Sequence, residues 1–173
     1  IPHLNLYVIN KMKLRVVIVS IVFSMFFMNS IFGQDEIKKE YYPSGKLKSE
    51  VPLKGGKKNG KYREYFENGE LKNEIVYKMD MGNGIIRIYY ENGIVRKELP
   101  FVNDKMNGTY KEFYESGKLK MTAIAVNQLW HGLSKTYAEN GALEWVTPYL
   151  NNKKNGIAKG YHENGKIKFE RPF

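Results

Sequence analysis

The chain contains no cysteine. That excludes disulfides, thiolate nucleophiles, cysteine metal sites and cysteine-borne lipid. Histidine is almost as scarce: beyond residue 34 only His131 and His162 occur. They fall in different units of the pattern described below, without metal-ligand spacing. No glycine-rich phosphate loop opens a helical stretch. The acids Glu67, Glu91, Glu115, Glu139 and Glu163 each stand just before a turn, where solvated surface is the simplest reading. No enzyme activity, cofactor or metal is therefore expected.

Acidic charge is also in short supply. There are 18 Asp and Glu against 28 Lys and Arg, a formal balance of +10. Such a balance suits anionic lipid or glycan surfaces. Many cations have a Glu placed to face them, however, so no continuous basic patch is expected. Nucleic acid is not an expected partner of an exported chain.

Long apolar runs are missing too, apart from one. Met12 is a better start than Ile1. It is followed by Lys13 and Arg15, an apolar run from Val16 to Met28, then Ser30 and Gly33. This is the order of a signal peptide, and the run is short for a membrane span. Cleavage near Gly33 or Gln34 would remove Lys11, Lys13 and Arg15 and no acid. The expected division is 1–34 as upstream residues plus a signal-peptide helix, and 35–173 as one repeat domain. The expected location is beyond the inner membrane, in the periplasm, at the cell surface or secreted. The alternative is a retained N-terminal anchor.

What the chain has in abundance is a period. Gly45, Gly69, Gly93, Gly117, Gly141 and Gly165 are 24 residues apart, and Gly60, Gly84, Gly108, Gly132 and Gly156 keep the same step. A fixed period of this length signals stacked supersecondary units. Asn or Ser precedes each glycine of the first set. Asn-Gly between alternating strands is a hairpin signal, and it predicts type I′ turns there. The fold class is then all-β: an elongated single-layer antiparallel meander of β-hairpins.

Folding each hairpin about Asn-Gly predicts its pairs. Arg63 meets Glu74 and Tyr62 meets Ile75; Tyr65 meets Lys72 and Phe66 meets Leu71. The next unit repeats this as Arg87 with Glu98, Ile86 with Leu99, Tyr89 with Arg96 and Tyr90 with Val95. Apolar meets apolar and cation meets anion, which is how cross-strand pairs stabilise a sheet, while the outer aromatic faces a cation at Tyr65–Lys72 and Tyr89–Arg96. Lys39–Glu50 and Lys159–Glu170 repeat the ion pair, whereas Lys111 faces Thr122 and Lys135 faces Val146. Phe169 falls opposite Gly160, where an aromatic ring can cover a missing side chain. Pro52, Pro100, Pro148 and Pro172 are expected to end or bulge the second strand of their hairpins.

The phrase Tyr65-Phe66-Glu67-Asn68-Gly69-Glu70-Leu71-Lys72, preceded by Lys57-Lys58-Asn59-Gly60-Lys61-Tyr62, resembles the variant form of the MORN (membrane occupation and recognition nexus) repeat. The resemblance covers about residues 41–173. It implies a curved single sheet used for protein or membrane contact, and it carries no catalytic residues. Bacterial proteins with this variant are often labelled antitoxin components. MORN units also accompany phosphoinositide kinases, but no kinase-like segment is present.

A single layer cannot bury both faces. The row Leu47, Leu71, Val95, Leu119, Leu143 and Ile167 is expected to form an apolar flank, and uncovered apolar flanks mark interaction surfaces. A porin-like barrel fits poorly, because these strands are too short. The units around Trp130, His131 and Trp145 depart most from the internal pattern. These are the only tryptophans, and tryptophan is enriched at binding hot spots. Trp130, His131, Trp145, Tyr137 and Tyr149 are the candidate partner-binding residues; cross-strand packing and simple drift of the unit are the competing explanations. Two functions are open: a protein-binding scaffold at the cell envelope, or an antitoxin-like neutraliser of a specific toxin. A protein partner is expected first, with anionic lipid or glycan as alternatives; the oligomeric state is left open.

Overall fold

The computed structural model describes residues 35–173. The expected signal peptide, 1–34, lies outside them. The described residues form one antiparallel sheet of 17 strands. The first hairpin is β1 (Glu36–Tyr41) and β2 (Leu47–Lys54), followed by the short β3 (Lys57–Lys58). The unit recurs as β4 (Gly60–Tyr65), β5 (Leu71–Lys78) and β6 (Met81–Gly82), then as β7 (Gly84–Tyr89), β8 (Val95–Val102) and β9 (Lys105–Met106). Next come β10 (Gly108–Phe113), β11 (Leu119–Val126), β12 (Leu129–Trp130), β13 (Gly132–Tyr137), β14 (Leu143–Leu150) and β15 (Lys153–Lys154). The last hairpin is β16 (Ile157–Tyr161) and β17 (Ile167–Pro172). Strands pair only with near neighbours in the chain: β2 with β4, β5 with β7, β8 with β10, β11 with β13 and β14 with β16 join the hairpins.

The turns correct the expected geometry. At Asn68-Gly69 only the glycine has positive φ, at 96°. Phe66 N–H donates to Glu70 C=O (2.8 Å) and Gly69 N–H to Phe66 C=O (2.9 Å). This is a three-residue loop closed by a glycine bulge, not a two-residue type I′ turn. Asparagine is there for its side chain: Asn68 Oδ1 accepts the N–H of Glu70 at 2.9 Å, and Asn92, Asn140 and Asn164 do the same for Ile94, Ala142 and Lys166. Asparagine side chains commonly stabilise turns in this way.

Two-residue loops occur instead at the other ends of the strands. Their central pairs are Gly55-Gly56, Met79-Asp80, Asn103-Asp104, Asn127-Gln128 and Asn151-Asn152, with positive φ at both residues. That is the type I′ signature. Left-handed backbone costs a non-glycine residue of order 1–3 kcal/mol. Stacking of successive loops offsets it: Asp80, Asp104, Gln128 and Asn152 donate backbone N–H to Lys58, Gly82, Met106 and Trp130 carbonyls at 2.8–3.0 Å. Three of these side chains accept in return, Asp80 from Lys58 N–H (2.7 Å), Asp104 from Gly82 (2.6 Å) and Asn152 from Trp130 (2.7 Å).

The register follows the expected pairs Tyr62–Ile75 and Arg63–Glu74, continues to Glu64–Asn73, then slips. Tyr65 pairs with Leu71, not Lys72. Tyr89 pairs with Val95 and not Arg96, so Tyr90–Val95 is lost as well. The bulge turns Lys72 to the opposite face, where its Nζ meets Glu64 Oε1 at 2.9 Å and lies over the Phe66 ring. The aliphatic row Leu47, Leu71, Val95, Leu119, Leu143 and Ile167 therefore shares a face with Tyr41, Tyr65, Tyr89, Phe113, Tyr137 and Tyr161, opposite which it pairs.

Of Pro52, Pro100, Pro148 and Pro172, only the last ends its strand: β17 stops at Pro172. β2, β8 and β14 run on two residues past Pro52, Pro100 and Pro148. The irregularity falls on the following segment, where Asn59, Asn107 and Asn155 donate N–H to the proline carbonyls at 2.9–3.0 Å. A methyl added at Gly60 or Gly108 would sit 3.1 Å from the ring of Pro52 or Pro100. Gly60, Gly108 and Gly156 thus mark places where a proline ring crowds the next strand, whereas Gly84 and Gly132 face Val76 and Ile124.

No large side chain is fully buried among the described residues; the buried ones are Val51, Tyr110, Ala123, Ala125, Ala158, Ser49, Glu74 and Ser134. Stability comes from neighbour-to-neighbour stacking, as in repeat proteins generally.

Candidate interaction surface

Alternation along each strand divides the side chains between two faces. One face carries three rows running across the strands. The middle row is ionic. Arg63 Nη1 meets Glu50 Oε1 at 3.3 Å and its Nε meets Glu74 Oε2 at 3.5 Å. Arg87 reaches Glu74 (3.7 Å) and Glu98 (3.2 Å), and Lys111 reaches Glu98 (3.5 Å). Lys61 adds a third cation to Glu74 at 3.4 Å. Glu74 is only 7% exposed, and its cations are what make that burial tolerable. Tyr65 Oη donates to Glu50 at 2.9 Å; burial, and then this bond, push the phenol pKa up. The hydrogen bond to Glu50 raises the Arg63 guanidinium pKa.

On one side of the ionic row lies the aromatic and aliphatic row just described. On the other lie Ile37, Ile85, Ile124, Leu133 and Ile157, between 41% (Ile85) and 58% (Ile37) exposed. Pro52, Pro100, Pro148 and Pro172 interleave with them, paired to Ile37, Ile85, Leu133 and Ile157. An apolar row and a second one, interrupted by Lys61 and Thr109, thus flank a charged one on a sheet face with nothing packed over it among the described residues.

The second face carries the tryptophans. Trp130 packs edge-on against Tyr110, ring centres 5.4 Å apart, and Trp145 against Phe169 at 4.6 Å. Tyr110 donates to Glu112 at 2.7 Å; burial first, and that bond second, raise its pKa far above the usual phenol value. A groove of about 620 Å³ on this face is lined by Lys38, Ser49, Tyr62, Glu64, Ile75 and Tyr77, among others. Burial works to raise the Glu64 carboxyl pKa, but hydrogen bonds from Lys72 (2.9 Å) and Asn73 (2.7 Å) outweigh it and leave the value lowered.

The five candidate residues do not form one cluster. Trp130, Trp145 and Tyr149 lie on the second face, paired with Ala125, Thr136 and Gly132. Tyr137, paired with Leu143, lies on the ionic face. His131 is exposed in the break between β12 and β13, its N–H bonded to Ile124 C=O at 2.9 Å. The ionic row is the feature that pairwise sequence reasoning left incomplete. Each hairpin pair was readable, but not that Arg63 and Arg87 bridge two hairpins each. The 24-residue step alone held that signal: equivalent positions of adjacent units must lie two strands apart. Among the described residues no group of three or more His, Asp and Glu is placed to hold a metal.

Comparison with known proteins agrees with this architecture. No curated protein matches. Among solved structures, a Staphylococcus aureus TarM mutant in complex with Fondaparinux, alpha-GlcNAc-glycerol and UDP is 15% identical, with a TM-score of 0.39, over 56% of this chain and 19% of that chain. A likeness that weak carries no argument. The family model for the MORN repeat variant matches residues 37–54, 58–79, 83–103, 106–127 and 154–173. It passes over 128–153, the stretch that holds all five candidate residues, although β13 and β14 there keep the hairpin pairing of the other units. With five repeats matched across more than half of its length, the chain belongs to the MORN repeat variant family.

Proposed function

We propose that this chain is exported and serves at the cell envelope as a non-catalytic module that holds a protein partner. Repeats of this family generally bind proteins or membranes and are non-catalytic in general. The observation that carries the reading is the exposed aliphatic and proline row beside the ionic row. Isolated exposed apolar residues are ordinary, but contiguous rows of them mark interaction surfaces. Export is supported by the order Lys13, Arg15, apolar run, Ser30, Gly33.

The test has two arms. Residues 1–34 fused to a reporter should carry it across the inner membrane; a cytoplasmic reporter removes the export half of the proposal. The chain from residue 35, immobilised and washed with envelope extract, should retain a defined protein. Retention should fall when Ile85 and Leu133 are changed to Asp. Equal retention by that variant removes the ionic face as the binding surface. A retained toxin would place the chain among neutralisers instead of scaffolds.

A further inference from the structure

The ionic row is interrupted once. From Glu50 to Lys111 it alternates acid and base without a gap: Glu50, Arg63, Glu74, Arg87, Glu98, Lys111. Across the following strands the sequence of partners is Lys111, Thr122, Lys135, Val146, Lys159 and Glu170. Thr122 and Val146 occupy the positions that Glu74 and Glu98 hold in earlier units, one and two periods on from Glu98. Lys111 turns its amine to Glu98 (3.5 Å) and Lys159 to Glu170 (2.9 Å), both away from the gap. Lys135 stands between them with no ion-pair partner among the described residues. An open groove of about 500 Å³ lies over this stretch, lined by Thr109, Thr122, Ile124, Leu133, Lys135 and Tyr137.

We infer that this interruption is a docking site for an acidic segment of a protein partner, whose carboxylates take the two places where the row lacks glutamate. One would sit over Thr122, between Lys111 and Lys135. The other would sit over Val146, between Lys135 and Lys159. The two places are two strands apart, about 10 Å at the spacing of a sheet. Residues seven apart on one side of a helix are separated by roughly 10.5 Å. Apolar side chains flanking those acids would meet Ile124 and Leu133 on one side and Tyr137 and Leu143 on the other. Charge complementarity of this kind fixes register and selects partners. The inference rests on the reading of the chain as a partner-binding module. A bilayer is the less suitable occupant, because outside the three lysines the row is already neutralised by its own glutamates.

The test fills the gap from within. Thr122→Glu combined with Val146→Glu restores the alternation seen in the intact units. The probe is a labelled helical peptide with two glutamates seven residues apart among leucines, beside a twin with glutamine in their place. The wild-type chain should bind the glutamate peptide at least tenfold more tightly than its twin. In the double variant that preference should vanish while the thermal midpoint holds or rises. Lys135→Gln should reduce the preference several-fold. Equal binding of both peptides by the wild type overturns the inference. So does a preference that survives in the double variant, or phosphatidylglycerol vesicles bound with Lys135 dependence while neither peptide binds. Retention of envelope protein separates the two layers of the argument: none retained by the wild type removes the partner-binding reading, and equal retention by the double variant removes only this site.

Discussion

Phe169 lies across Gly160. A methyl at Gly160 would come within 2.5 Å of the Phe169 ring. Trp145 pairs with the same glycine from the other side and packs on Phe169 at 4.6 Å. The missing side chain is what lets two aromatic rings meet over the backbone. Gly160→Ala is expected to destabilise by about 1–3 kcal/mol through overpacking, read from denaturant unfolding. An unchanged midpoint would mean that the rings do not lie there.

Trp130→Ala and Trp145→Ala, on the face away from the ionic row, are expected to lower thermal stability more than they weaken partner capture. Each ring packs edge-on against an aromatic neighbour, Tyr110 or Phe169. Capture assays run beside thermal melts decide it. A loss of capture larger than the loss of stability would place a partner contact on the second face.

The ion pairs should differ sharply in weight. Glu74 is buried among three cations, so Glu74→Gln is expected to cost about 1–3 kcal/mol, since Arg63 and Arg87 lose their shared acceptor. The Lys159–Glu170 pair is exposed at the end of the sheet. Glu170→Gln should leave the midpoint within error, because exposed pairs contribute little. Chemical unfolding of both variants checks the contrast.

Acid should act through Glu64. Its folded-state pKa is lowered from 4.5 by Lys72 and Asn73, against the upward pull of burial. The native state therefore binds the proton less readily than the unfolded chain. The resulting stabilisation is complete above about 4.5 and disappears as the pH falls through the folded-state value. Glu64→Gln should flatten the fall of stability in that window and leave the neutral-pH slope unchanged. A titration of unfolding free energy from pH 6 to 2.5 reports it.

How far the sequence reveals this molecule depends on the kind of interaction. Arg63–Glu74 and Ile86–Leu99 are readable because they lie in the regular part of a hairpin, where a period of two and one turn settle the partner. Tyr65–Leu71 is not, because Asn-Gly suits two turn types and only the backbone decides between them. The choice of a glycine bulge moved a row of aliphatic side chains to the other face. Met79-Asp80 hides in the same way: Met79 does not favour positive φ, and the lateral bonds between Asp80 and Lys58 that hold the loop arise only once units stack. The candidate residues were found as departures from the repeat. That locates an unusual unit, but it does not say that Tyr137 and Trp145 point in opposite directions from one hairpin.

The central claim is that the ionic face, with its exposed aliphatic and proline row, is uncovered in the free protein and covered by a partner. Hydroxyl-radical footprinting of the side chains tests it most directly. In the free chain Ile85, Leu133 and Ile157 should be oxidised at the rate of freely exposed aliphatic side chains; with partner bound, Leu133 and Ile157 should be protected. Protection of Ile85, Leu133 and Ile157 before any partner is added would contradict the account.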